Sequence, residues 1–223
     1  MHPLRGVIWD LDGTLVDTSE LHFATWHRAV TERGVPFTRE TFGAMFGLRN
    51  RETIARIFGP IPDAEALAIA ARKESLYRET ARERVSLLPG ARDLLDALAR
   101  EHVPCALGTS APRENVELLL EATGTRSAFA AFACEQDVTE GKPAPDVFLV
   151  AARRLGADPH DCIVLEDAVV GIEAARSAGM RSVAVTFASH AKREDLAIAD
   201  LVVGSLGEVT VESLRGVFRR ERR

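Results

Sequence analysis

Short apolar runs alternate with longer stretches of helical periodicity along most of this chain, and the alternation is interrupted once. Leu4 to Trp9 is a compact apolar run with Arg5 and Gly6 at its mouth, the pattern of a buried strand. After Thr18 the apolar positions Leu21, Trp26, Ala29 and Val30 recur at helical spacing and Gly34 ends the segment. Thr38 with Thr41 opens a short helix ending near Gly43. Asn50 is placed to cap a third helix, with Ile54, Ile57 and Phe58 on its apolar face and Gly59-Pro60 as its stop. Asp63 to Arg84 reads as one long, heavily charged helix. From Ser86 the alternation resumes. Helices are predicted from Pro89-Gly90 through Arg100, over Pro112 to Thr123, Asp146 to Leu155, Gly171 to Ala178 and Val211 to Phe218. Between them lie strands at Pro104 to Leu107, Phe129 to Cys134, Cys162 to Leu165, Ser182 to Thr186 and Asp200 to Val203.

Strand-helix alternation implies an α/β fold, a parallel sheet with helices on both faces. The helical block after the first strand reads as an inserted domain. The expected division is therefore an α/β core from residues 1–16 and 86–223 and a helical domain from 17–85, with the connections near Val16 and Ser86 acting as a hinge. No internal repeat or low-complexity segment disturbs this picture.

Composition narrows the function. An apolar fraction of 46% supports a full core, and a net charge of −5 argues against a nucleic-acid partner, which needs a basic face. The basic tail from Arg219 to Arg223 reads as a solvated end. No apolar run reaches membrane-spanning length, and the start Met1-His2-Pro3-Leu4-Arg5 lacks a basic stretch followed by an apolar one. Cys105, Cys134 and Cys162 are far apart without zinc-type spacing, and Cys105 and Cys162 border apolar runs as buried thiols do. A cytoplasmic chain with no membrane contact is expected, and a monomer for want of an apolar surface stripe. Of 28 basic residues only Lys73, Lys142 and Lys192 are lysine, which offers a compact point charge where arginine offers a planar fork.

The chemistry concentrates at the ends of the predicted strands. Asp10-Leu11-Asp12-Gly13 puts two carboxylates directly after the first strand, where ligands bind in open α/β sheets. Like charges held that close repel, and a hard cation such as Mg²⁺ would relieve them. Thr109-Ser110 follows another strand, Glu166-Asp167 ends a third, and Lys142 sits in a loop on the same side. Singly each has an ordinary reading: a turn, a helix cap, a surface lysine, a charged helix start. Together they supply carboxylates for a cation, hydroxyl donors and a positive charge, the set that phosphoryl transfer requires.

With these motifs in order (Asp10 to Leu15, Thr109, Gly141-Lys142-Pro143, Leu165-Glu166-Asp167) the chain resembles the haloacid dehalogenase superfamily phosphotransferases over essentially its whole length. The resemblance implies a Rossmann-like core of parallel sheet with an inserted helical cap, and Mg²⁺ as cofactor. By it, Asp10 is a nucleophile that forms an aspartyl-phosphate, Asp12 a general acid and base, and Thr109 and Lys142 hold the phosphoryl oxygens. Asp10, the Asp12 carbonyl and Asp167 would bind the metal, with Glu166 assisting. The second aspartate favours phosphate esters over halides, because an alkoxide leaving group needs a proton.

The helical block is similar to the cap of the β-phosphoglucomutase-like branch. Asp17 to Phe23, Trp26, Gly47 to Arg51, and Arg72-Lys73 with Tyr77 carry that likeness. His22 and Lys73 match a cap pair that holds the acid-base aspartate and the sugar. Asn50, flanked by Arg49 and Arg51, falls where a mutase has the arginine that grips a second phosphate, and Ala111-Pro112-Arg113 departs where it has a lysine. Expected substrate contacts are thus His22, Arg49, Asn50, Lys73 and Ser110. The expected function is hydrolysis of a small phosphorylated metabolite, a sugar phosphate. Two alternatives stay open: a mutase interconverting β-glucose 1-phosphate and glucose 6-phosphate, and a phosphate-binding regulator on a retired enzyme scaffold.

Overall fold

A computed structural model describes residues 4–219; the basic tail from Arg220 onward lies outside the described residues. Six strands form one sheet in the order β3-β2-β1-β4-β5-β6, all neighbours parallel. They are β1 (Gly6–Trp9), β2 (Cys105–Gly108), β3 (Ala131–Ala133), β4 (Cys162–Glu166), β5 (Arg181–Val185) and β6 (Leu201–Val203). The helices are α1 (Ser19–Thr31), α2 (Arg39–Gly43), α3 (Asn50–Phe58), α4 (Asp63–Arg84), α5 (Ala91–Arg100), α6 (Arg113–Ala122), α7 (Asp146–Leu155), α8 (Val169–Ser177) and α9 (Val211–Val217).

Alternate residues of β1 serve opposite faces, as the strand period requires. Val7 and Trp9 join the core that includes Leu94 and Leu98 of α5 and Leu214 of α9, while Ile8 packs with Phe148 of α7 and Ala175 of α8. Both faces of the sheet are covered, which is why the strands are continuous apolar runs. The three cysteines are buried and unpaired. Among the described residues no helix is long and apolar enough to cross a membrane.

The helices α1 to α4 intervene between β1 and α5 and have a core of their own, built around Trp26, Val30, Phe37, Phe42, Ile54 and Ile69. This is the helical cap of the expected fold class. Its two connections run side by side: Val16 bridges Leu87 antiparallel, the Asp17 N–H donates to the Ser86 carbonyl at 3.0 Å, and the Leu88 N–H to the Leu15 carbonyl at 3.0 Å.

Some boundaries differ from the sequence reading. The first strand begins at Gly6 rather than Leu4, and a Cβ there would meet Leu155 at 2.6 Å, so glycine lets α7 lie close to the strand. The helix expected from Gly171 starts at Val169, because the Glu166 carboxylate accepts the Asp167 and Ala168 N–H groups and shortens the turn. Asn50 is not a cap: Arg49 precedes the helix without a capping bond, and the Asn50 amide is engaged elsewhere.

Candidate active site

Strand β1 lies between β2 and β4, the place where the strand order reverses and a crevice opens at the carboxyl ends. Asp10 follows β1, Thr109 follows β2, and Glu166 ends β4 with Asp167 behind it. All four are buried. Lys142, from the loop ahead of α7, reaches in and donates to Asp10 Oδ1 at 2.5 Å and to Glu166 Oε1 at 2.6 Å. Burial alone would lower this ammonium; the two carboxylates outweigh it and hold Lys142 protonated.

Asp10 and Glu166 thus share a single ammonium, and Asp167 stands beside them without a bond to it. Burial first, then its neighbours Glu166 and Asp12, push the Asp10 carboxyl up against the opposing pull of Lys142. Burial with Glu166 and Asp10 pushes Asp167 well up. Thr14 donates to Asp167 Oδ1 at 3.1 Å, while Asp167 Oδ2 is buried without a partner. An orphaned carboxylate oxygen in a negative pocket is costly, and a divalent cation with oxygen ligands would satisfy it. Gly13, at φ +86°, leaves room that a Cβ would take from this oxygen. Among the described residues no three His, Cys, Asp or Glu side chains converge at metal-binding spacing. The expected set needs only two, Asp10 and Asp167, with a main-chain carbonyl. Glu166, expected to assist the metal, is engaged by the chain itself. One of its oxygens takes Lys142 and the other two N–H groups, so it buttresses the lysine.

Asp12 faces the cap. Its Oδ1 accepts from Thr18 Oγ1 at 2.6 Å, from His22 Nε2 at 3.0 Å and from the Tyr77 hydroxyl at 3.4 Å. Burial would raise this carboxyl, but His22, Thr18 and Lys73 together hold it below the usual range. Behind His22, Lys73 Nζ lies 3.0 Å from Nδ1 and 2.8 Å from Glu74 Oε1. An ammonium only donates, so Nδ1 accepts and Nε2 carries the proton given to Asp12. His22 also stacks on Tyr77, centroids 4.4 Å apart. The matched pair therefore reaches Asp12 through His22, with Lys73 behind it.

The cavity between cap and core, about 60 Å³, is lined by Asp10, Asp12, His22, Lys73 and Thr109, with Trp26, Phe42 and Leu48 on its apolar side. Asn50 and Ser110 line it too, but their polar groups are committed: the Asn50 amide donates to Glu74 Oε1 at 2.9 Å and the Ser110 hydroxyl to the Gly47 carbonyl at 2.9 Å. Arg49 does not join them. Its guanidinium pairs with Glu52, donates to the Thr139 carbonyl at 3.0 Å and lies against Gly141, so that it clasps the cap to the core. Arg51 is exposed on α3, and Arg113 is taken by Asp137. Sequence reasoning missed Glu74 and Asn115. The signals available were an acid beside the rare lysine of α4, and an asparagine on the face of α6 that also carries Val116, Leu119 and Leu120.

Residues 7–185 match the family described as haloacid dehalogenase-like hydrolase. The chain is 32% identical to the β-phosphoglucomutase of Bacillus subtilis (strain 168), over 98% of this chain and 97% of that protein. It is 36% identical to the fructose-1-phosphate phosphatase of Escherichia coli (strain K12), over 81% of this chain and 95% of that one. Among solved structures it superposes on a β-phosphoglucomutase from Clostridium difficile with a TM-score of 0.88 at 26% identity, covering 97% of each chain.

Proposed function

The chain belongs to the haloacid dehalogenase-like hydrolases and is an enzyme of their sugar phosphate phosphatase and phosphomutase group, and from that premise we propose that it is a Mg²⁺-dependent phosphatase of a small sugar phosphate. Asp10 attacks phosphorus in line and the bond to the sugar oxygen breaks. Asp12 passes its proton to that oxygen, then takes one from the water that attacks the aspartyl-phosphate. Thr109 and Lys142 hold the phosphoryl oxygens. Asp10, Asp167 and the Asp12 carbonyl would hold Mg²⁺, which when bound offsets the negative charge of the phosphoryl group. His22 and Lys73, with Asn50 and Ser110 nearby, face the sugar. Thr18, His22 and Tyr77 converge on Asp12 Oδ1 and hold the carboxyl in place through both proton transfers.

One observation carries hydrolysis over mutation of a bisphosphate: the charge of the cavity wall. Among its described lining residues Lys73 is the only lysine or arginine, and the carboxylate of Glu74 stands beside it. A second phosphate at the far end would meet no unpaired cation and would face that carboxylate. The mutase reading draws on the His22-Lys73 pair. A panel of phosphorylated sugars assayed with Mg²⁺ for both free phosphate and isomerised product separates the two. Free phosphate is expected, and glucose 6-phosphate formed from β-glucose 1-phosphate with a trace of bisphosphate would reverse the ranking. Asp10→Asn is expected to abolish turnover with an unchanged fold by circular dichroism; near-full activity would remove Asp10 as nucleophile.

A further inference from the structure

The polar chain behind His22 ends on a carboxylate that the reaction outlined above does not use. Glu74 is 6% exposed on α4, and three donors converge on it: Asn50 at 2.9 Å and Lys73 at 2.8 Å on Oε1, Asn115 at 2.6 Å on Oε2. They come from α3 and α4 of the cap and α6 of the core. Asn115 is 1% exposed, and its carbonyl oxygen accepts from Arg78 at 3.2 Å, which leaves its amide nitrogen to face Glu74. Burial would raise the Glu74 carboxyl, but Lys73, His22 and Asn115 hold it below its usual range, so the group is an anion inside the interface.

We propose that Glu74 is a positioning residue that couples cap closure to the orientation of Asp12, with Asn115 as its receptor on the core. The proposal rests on the reading of Asp12 as acid and base. Its geometry follows from the donors. Glu74 fixes one N–H of the Lys73 ammonium, which turns another toward His22 Nδ1; that fixes the tautomer whose Nε2–H bonds Asp12. The Asn115 bond joins cap to core, so the full chain from core helix to Asp12 exists only with the cap seated. A swung-out cap leaves Glu74 without its Asn115 donor and carries His22 away from Asp12. A solvated ion pair would not transmit position in this way, because water satisfies either partner.

The leaving group separates positioning from packing. A nitrophenolate departs without a proton, whereas an alkoxide needs one from Asp12. In a two-step reaction kcat/KM reports events up to the first phosphoryl transfer. The test measures kcat/KM for β-glycerol phosphate and for 4-nitrophenyl phosphate in the wild type, Asp12→Asn, Glu74→Ala, Glu74→Gln and Asn115→Ala, with the Tm of each. Glu74→Ala is expected to lose about 10- to 100-fold on the alkyl ester, the scale of a misplaced catalytic group, and less than about threefold on the aryl ester. Glu74→Gln and Asn115→Ala move in the same direction by less. Equal losses on both esters in Glu74→Ala, or none, overturn the proposal while a selective Asp12→Asn leaves the acid-base reading standing. Equal losses in Asp12→Asn overturn that reading and the proposal with it. Glu74→Gln, which preserves volume, decides by the same ratio if the alanine variant does not fold.

Discussion

Lys142 is one ammonium answering two buried carboxylates, and its loss is therefore asymmetric. Replacing a partner of a buried ion pair strands the other charges, a penalty of about 3–5 kcal/mol. Lys142→Met is expected to lose about that much stability by urea denaturation in EDTA, where the protein's own charges act alone, and to lose turnover as well. A loss below about 1 kcal/mol would mean that Asp10 and Glu166 take up protons at little cost. Asp10, Thr109, Glu166 and Asp167 were legible in the sequence because each stands directly after an apolar run, where the fold class puts its ligands. Glu74 was not. Its partners Asn50 and Asn115 lie 24 and 41 positions away on other helices, and one more acid in a helix rich in charges carries no local mark. The surroundings of Arg49 were hidden for a related reason: a cation beside a predicted pocket says nothing of the acid, Glu52, that pairs with it one turn later.

Between elements, Asp137 ties two helices to the edge of the sheet. It lies just past β3 and binds Arg113 at the start of α6, Arg154 near the end of α7 and the N–H of Cys134. The bond from Arg154 outweighs partial burial and, with Cys134 and Arg113, holds the carboxyl down at about 2. The unfolded chain titrates near 3.9, so folding is favoured by this group above that pH. The contribution is lost as pH falls from about 5 through 2. Asp137→Asn should therefore lower the Tm at pH 6, and the gap to the wild type should close on acidification across that window. A gap independent of pH would mean that the tie is one of shape alone. Helices were the more legible elements: α7 has the bounds that its apolar spacing and the Gly156 stop predict, and α4 those of its long charged run, because these are local signals. Strand and turn limits depended on distant atoms. The close approach of Leu155 to Gly6 and the Glu166 carboxylate over its own turn lie outside any sequence window.

At the scale of the molecule, the cap is seated. The pocket lies between cap and core, so any swing of the cap changes the space open to a sugar phosphate. Trp26 lines that cavity, whereas the other tryptophan, Trp9, is fully buried in the core. Fluorescence should follow the motion: adding orthovanadate with Mg²⁺ is expected to change the emission of the Trp9→Phe variant and to leave that of Trp26→Phe nearly constant. A response carried by Trp9 instead would place the change in the sheet. The side-by-side linkers at Val16 and Leu87 have a consequence for chain statistics. To the core, the whole cap is a single long loop whose ends already meet. Doubling such a loop costs only about 0.6 kcal/mol in closure entropy, so the length threaded between Asp17 and Ser86 weighs little on the sheet. A foreign cap spliced at those two residues would close the same loop at little entropic cost, provided that it restored the packing of Tyr77 and Ala81 on the core and the bonds of Thr18 and His22 to Asp12.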